Sequence, residues 1–352
     1  MCLLKSKQTN HLEYPSQSIA LHTCSLPTTA NLPNEELLAT HGKTFYFASR
    51  FLPLELRHPV IILYAFFRTL DDLVDEPTPG RVSADVRAEL EAWKSWLSKN
   101  GSFPAPREAL GRSLHAVLEE HPIPTTIFLD FLNGLISDLG PCEIRNFSEM
   151  HHYCYRVAGT VGLAMAHMLG VRSPTALMAA QNLGIAMQLT NILRDIGSDL
   201  AADRVYLPRD ELERFDYSRM DLLKLSQKQQ QPDQRFLALM RYQVQRARYY
   251  YATSMHGIWL LPPDCRLPIL IAGRLYQRIL TVIEHNHYDV FRARAATNLT
   301  EKVYEATIAF ILDRLWRSKE AWTNSEMEAL LGDEISFPDT HHSTNYPEHT
   351  SI

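Results

Sequence analysis

Twice in this chain an apolar stretch with helical spacing carries aspartates four residues apart. In the first, VIILYAFF is followed by Arg68, Asp71, Asp72, Asp75 and Glu76. The second is NILRDIGSD at 191–199, with Asp195 and Asp199. Residues i and i+4 of a helix lie one above the other on a single face. Adjacent carboxylates repel, and acids near a helix C-terminus also meet the negative end of its macrodipole. Both arrangements cost free energy unless a cation neutralises them. Two such pairs, each bordered by apolar sequence, predict facing helices that hold a divalent metal over a buried pocket. Hard oxygen ligands favour Mg²⁺, with Mn²⁺ as the other candidate, and Mg²⁺ usually shares its shell with substrate phosphates.

The spacing predicts helices over about 59–76 and 174–199. Pro77 and Pro79 stop the first, and Arg68 stands one turn before Asp71, placed to steady a carboxylate or reach a phosphate. On the second, Gln188, Asn191, Asp195 and Asp199 step by three or four residues. Ile185, Ala186, Met187, Leu189, Ile192 and Leu193 supply its packing faces. The plainer alternative is a solvated acidic helix end and a solvent-facing stripe. Solvent faces usually carry Lys and Glu, however, and a Gln–Asn–Asp stripe on a helix made for burial needs partners.

The rest of the chain is consistent with one helical body. Gly is sparse at 14 of 352 residues, and the 45% hydrophobic share fills a sizeable core. Breaks fall near Pro53, Pro77–Gly80, Gly101–Pro106, Pro122–Pro124, Gly140–Pro141, Pro174, Pro208 and Pro262–Pro263, as for long helices joined by turns. Residues 1–33 read as a disordered leader, 34–336 as a single all-α domain and 337–352 as a disordered tail. A formal charge of −5 argues against nucleic-acid binding. Cys2, Cys24, Cys142, Cys154 and Cys265 are scattered and odd in number, as expected of unpaired thiols in a reducing compartment. The longest apolar run, Val60–Phe67, is far short of the ~20 residues a membrane span needs. A cytoplasmic protein is expected, with peripheral membrane contact if its product is greasy. Nothing in the sequence names a protein partner.

The motifs DDLVDE and NILRDIGSD, with HGKTFYFASRFLP at 41–53, YCYRVAGTVG at 153–162, DRVYLPRDEL at 203–212 and LYQRILTVIEHNHYDVFRARA at 275–295, resemble the squalene and phytoene synthases. These are head-to-head trans-isoprenyl diphosphate synthases, and the last stretch is most like the phytoene synthase branch. The resemblance covers roughly residues 35–300. It implies the all-α isoprenoid synthase fold, with helices around a central cavity. It also implies a metal-binding set of Asp71 and Asp75 from the first motif and Asn191, Asp195 and Asp199 from the second. His41, Lys43, Thr44, Arg68 and Arg194 match diphosphate contacts, and Arg204 joins them from the fifth motif in chain order. Tyr64, Tyr153, Gln188 and Tyr206 match polar positions near the reacting carbons. Val157, Ala158, Gly159 and Gly162 match the helix lining the prenyl channel. Tyr64 as ordinary core, and VAGTVG as simple helix packing, are the plainer alternatives. Ser198 stands where many relatives have Glu.

The implied activity is Mg²⁺-dependent condensation of two geranylgeranyl diphosphates to phytoene through a cyclopropylcarbinyl diphosphate. The alternatives are a C30 synthase acting on farnesyl diphosphate and a terpene cyclase on the same scaffold. NADPH is not expected. The carbocation needs a dry, weakly nucleophilic wall, for which Phe45, Phe47, Tyr64, Phe66, Val157, Met165 and Met187 are candidates. The released diphosphate or a nearby Tyr takes the final proton.

Overall fold

A computed structural model describes residues 43–75, 82–99, 101–103, 107–140, 143–227 and 231–318. The leader, the tail, His41 and Glu76 lie outside these residues. Of Lys43 and Thr44 only the backbone is described. Chain order is α1 (Lys43–Ser49), α2 (Leu54–Asp75), α3 (Ser83–Leu97), α4 (Glu108–Glu120), α5 (Thr125–Ser137) and α6 (Phe147–Cys154). A π-helical turn, Tyr155–Gly159, leads into α7 (Thr160–Met168). Then come α8 (Pro174–Ala201), α9 (Arg209–Arg214), α10 (Arg219–Ser226), α11 (Gln234–Ile258), α12 (Pro263–His285) and α13 (Leu299–Ser318). Among the described residues there is no strand, only one isolated bridge between Glu143 and Val205. The all-α expectation holds.

Helix ends fall where the Pro and Gly breaks predict. Pro174 and Pro263 open α8 and α12, where a missing N–H costs nothing because the first four have no intrahelical acceptor. Asn146 and Asp233 cap α6 and α11, accepting the backbone N–H of Glu149 (3.0 Å) and Phe236 (2.9 Å). One boundary differs. α2 starts at Leu54 rather than near Pro59, so Pro59 is the sixth residue of the helix. A proline's φ suits a helix, but at the sixth position it supplies no N–H to the Glu55 carbonyl one turn back.

Two helices organise the centre. α8 makes its most extensive contact with α11 and also packs on α7 and α12. The approach to α7 is close: a Cβ on Gly162 would lie 2.2 Å from the Ala180 carbonyl oxygen, and one on Gly184 2.2 Å from that of Ala158. α2 sends one face into an aromatic core, where Phe66 meets Trp93 and Phe128 at ring separations of 5.3 and 5.5 Å. Its opposite face lines a cavity. Among the described residues no helix is long and apolar enough to cross a membrane. Cys154 and Cys265 are buried and free.

Candidate active site

A cavity of about 950 Å³ runs between α2 and α8, at the upper end of the usual range for ligand sites. On α8 its lining residues include Ala176, Ala179, Ala180, Leu183, Gly184 and Met187, followed by Gln188, Asn191, Ile192, Arg194, Asp195, Ser198 and Asp199. These share one helical face that turns from small and apolar to polar at Gln188. At 1.5 Å per residue, the apolar part from Ala176 to Met187 is ~17 Å long. On α2 the sequence is the same in kind: Val60, Tyr64 and Phe67, then Arg68, Asp71 and Asp75. Both helices therefore bring acidic C-terminal ends to the same end of the cavity, where both macrodipoles add negative potential.

The carboxylates fall into two groups. Asp195 is gripped by Arg194 (3.0 and 2.6 Å) and by Arg294 (2.7 and 2.9 Å). Burial alone would raise its pKa, but these hydrogen bonds and charges hold it below the ordinary value. Asp71, Asp199 and Asp138 go the other way, each to about 7. Burial is the first cause in all three. The negative charge of Asp75 adds to each, and Asp195 adds to Asp199. Asp75 itself accepts a 2.6 Å hydrogen bond from Arg204, which ties α2 to the segment after α8. Arg68 pairs with Asp71 at 3.2 Å and also with Asp72.

The donor set fits a hard divalent cation. Three carboxyls are pushed up by burial and by the charge of neighbouring carboxylates, Asp75 among them each time. The side-chain oxygen of Asn191 is buried with no hydrogen-bond partner, while its amide donates to Gln188 at 3.2 Å. A cation among them would relieve both conditions. Among the described residues, no three His, Cys, Asp or Glu side chains converge as a ready-made cage. A site completed by substrate oxygens and water is the usual Mg²⁺ arrangement.

Most residues singled out in the sequence line this cavity: Asp71, Asp75, Asn191, Asp195, Asp199, Tyr64, Tyr153, Tyr206, Arg68, Arg194, Arg204, Gln188 and Val157. Gly159 does not. It is buried behind the wall, where an added Cβ would meet Tyr155 and Gln181. Its neighbours Val157 and Ala158, in the same π turn, reach the cavity. VAGTVG thus both packs against α8 and lines the channel. Phe45, Tyr64, Val157, Met165 and Met187 belong to the wall, whereas Phe47 and Phe66 do not. Phe66 points to the opposite side of α2, into the aromatic core.

Burial pushes the phenols of Tyr64 and Tyr153 well up and that of Tyr276 up, so they stay protonated. Tyr153 donates to Asp138 at 3.0 Å and stacks on Tyr206 at 4.8 Å. Phe45 contacts Tyr64 and Tyr276 at 5.9 and 5.6 Å. Asp138, Arg294, Tyr276 and Lys302 line the cavity and escaped the sequence reading. Asp138 carried a findable signal, an acid at the end of the apolar helix TTIFLDFLNGLIS, as with Asp71. Arg294 lay within the quoted 275–295 stretch but had no periodic partner to mark it.

Comparison with known proteins identifies the family and the fold. The sequence pattern described as squalene/phytoene synthase matches residues 38–301. The chain is 35% identical over 313 residues to a 15-cis-phytoene synthase of Synechocystis sp., covering 85% of this chain and 90% of that one. It is 33% identical to a chloroplastic phytoene synthase of Solanum lycopersicum, covering 78% and 88%. Among solved structures, a dehydrosqualene synthase superposes with a TM-score of 0.70 at 28% identity, covering 81% of this chain and 96% of that one. A squalene synthase from Alicyclobacillus acidocaldarius, at 23% identity and a TM-score of 0.63, shares the fold.

Proposed function

The chain belongs to the squalene/phytoene synthase family of prenyltransferases, and on that footing we propose that it joins two C20 prenyl diphosphates head to head into phytoene. The observation that carries this reading is one cavity with two chemistries, an acid- and arginine-lined end opening into a long apolar channel. The phytoene synthase relatives favour the C20 substrate.

Arg68, Arg194, Arg204 and Arg294 line the polar end and are placed to bind the diphosphates through charge-assisted hydrogen bonds. A divalent metal, Mg²⁺ by preference, held by Asp71, Asp75, Asn191, Asp195 and Asp199, would neutralise charge developing on the leaving group. When the C1–O bond of one substrate breaks, the allylic cation faces Phe45, Tyr64 and the Val157–Met165 wall. These offer aromatic faces and excluded water. Attack by the double bond of the second substrate, with loss of a proton, gives the cyclopropylcarbinyl diphosphate. A second C–O cleavage, rearrangement and proton loss give the linear C40 chain. Two prenyl diphosphates thus yield one hydrocarbon, two diphosphates and two protons, with no reductant. Because the cavity tyrosines hold their protons, the released diphosphate is the better base.

A C30 reaction on farnesyl diphosphate is the second reading, favoured by the likeness to a dehydrosqualene synthase. Incubation with Mg²⁺ and either the C20 or the C15 diphosphate, followed by mass analysis of the extract, separates the two. A C40 hydrocarbon from the C20 substrate is expected. A C30 product formed in preference moves the assignment to the second reading, and no hydrocarbon from either substrate overturns both.

A further inference from the structure

Asp195 has no oxygen lone pair to spare. A carboxylate offers about four acceptor positions on its two oxygens. Here two arginines fill them all. Oδ1 accepts from Nε of Arg194 (3.0 Å) and of Arg294 (2.7 Å), and Oδ2 accepts from the Nη2 of each (2.6 and 2.9 Å). A divalent cation cannot coordinate Asp195 while both guanidiniums hold it. No lone pair faces the cation, and two positive charges repel it. One arginine has to leave.

The two arginines are not equivalent. The Arg194 side chain is 12% exposed and that of Arg294 is 66% exposed. Breaking a buried pair strands a charge, whereas water takes up an exposed guanidinium at little cost. Arg294 can also move without its backbone. It lies in the segment between α12 and α13, where Phe291 packs on the buried Phe236 with ring centroids 5.4 Å apart and Ala295 is buried. The chain is thus pinned on both sides of Arg294, and exchange needs only rotation of its side chain.

We propose that Arg294 is an exchangeable counter-ion. It holds Asp195 in the empty site, yields the carboxylate to a divalent cation, and then carries its charge to the diphosphate. Once displaced, its guanidinium remains at the polar end of the cavity among Arg68, Arg194 and Arg204. A diphosphate supplies the anion that Arg294 has lost, and its paired oxygens suit a planar fork of N–H donors. Metal alone strands Arg294 beside a second cation. Diphosphate alone meets an arginine already engaged by Asp195. Each ligand removes the obstacle to the other, so the two bind with positive coupling, equal in both directions by linkage. The site is then fully charged only when substrate is present. The inference rests on the metal and diphosphate reading given above and adds to it the residue that couples the two.

Two titrations of the full chain test it, each with one ligand. The first adds Mn²⁺ without diphosphate and follows the paramagnetic resonance of the free ion. Arg294→Gln frees acceptor positions on Asp195 and should raise Mn²⁺ affinity by about fivefold or more, the lower end of typical coupling. A residue that merely shaped the site would lower that affinity on removal. Arg294→Lys keeps the charge but cannot grip both oxygens as a fork, and should fall between the wild type and the glutamine variant. The second titration adds inorganic diphosphate in EDTA and is read by calorimetry. Asp195→Asn releases Arg294 and should tighten diphosphate binding by a similar factor. Asp195→Asn/Arg294→Gln should lose that gain. Circular dichroism and melting temperature check that each variant is folded. Mn²⁺ affinity no higher in Arg294→Gln than in the wild type overturns the proposal. So does a double variant that binds diphosphate as tightly as Asp195→Asn. Neither titration uses a prenyl substrate, so product formation is scored separately. Hydrocarbon made by a wild type whose Mn²⁺ affinity Arg294→Gln leaves unmoved overturns only the exchange. Exchange without hydrocarbon overturns only the condensation reading.

Discussion

α8 and α13 both pack on α12, and they face opposite ways. α8 turns its small and apolar residues and then its acids toward a cavity, and packs its remaining faces into the core. α13 pairs Glu301 and Glu305 with arginines of α12 and Asp313 with its own Arg317, and leaves six large apolar residues exposed. The contrast separates two uses of the same helix. Inward acids on α8 are crowded and partly unneutralised, a condition that favours a ligand. Inward acids on α13 are each matched by an arginine, a condition that favours a fixed scaffold.

The largest effect should come from removing an α8 carboxylate or its α2 counterpart. Asp195→Ala, Asp199→Ala, Asp71→Ala or Asp75→Ala should each lower turnover at least ~100-fold, as losing a transition-state contact does, with helical circular dichroism unchanged. Chelation by EDTA should do the same. Turnover within tenfold of wild type, read from product mass, would remove the distinction between the two helices.

Next in size is packing. Gly184→Val on α8 drives a side chain into the Ala158 carbonyl and should cost about 1–3 kcal/mol. Thr307→Val on the outward face of α13 should stay within about 0.5 kcal/mol. Urea unfolding of both variants checks the pair.

An effect of similar size, but dependent on pH, is expected at Asp138. Its folded pKa of about 7 lies above the ~3.9 of an unfolded Asp. Between these values the unfolded chain has released the proton and the folded chain has kept it. Stability from this group is therefore full below about pH 4 and lost as pH rises toward 7. In metal-free buffer, Asp138→Asn should melt higher than wild type at pH 8 and alike at pH 4. An equal difference at both values would rule out ionisation as the cause. Smallest of all, Ile311→Glu should leave turnover in detergent unchanged and stability within about 0.5 kcal/mol, measured by assay and thermal melt.

Much of the site was legible because it is local. Asp71 with Asp75, and the Gln188–Asn191–Asp195–Asp199 stripe, share faces by helical period alone. Phe66 and Gly159 show where period stops helping: each lies in the right motif but on the far side of its element. Asp138 joins the site only because α5 ends beside α2, and Arg294 because the chain returns 99 residues after Asp195.

What the chain determined by itself was element type, the breaks and the pairing of acids on two helical faces, since each depends on neighbours a few residues apart. Tertiary structure alone decided that Arg204 closes on Asp75 across 129 residues, that Asp195 is held below its ordinary pKa while Asp71 and Asp199 are raised above theirs, and that the apolar stripe of α13 faces outward. Periodicity can divide a helix into two faces. Which face is buried depends on the charges and shapes that distant segments bring to meet it.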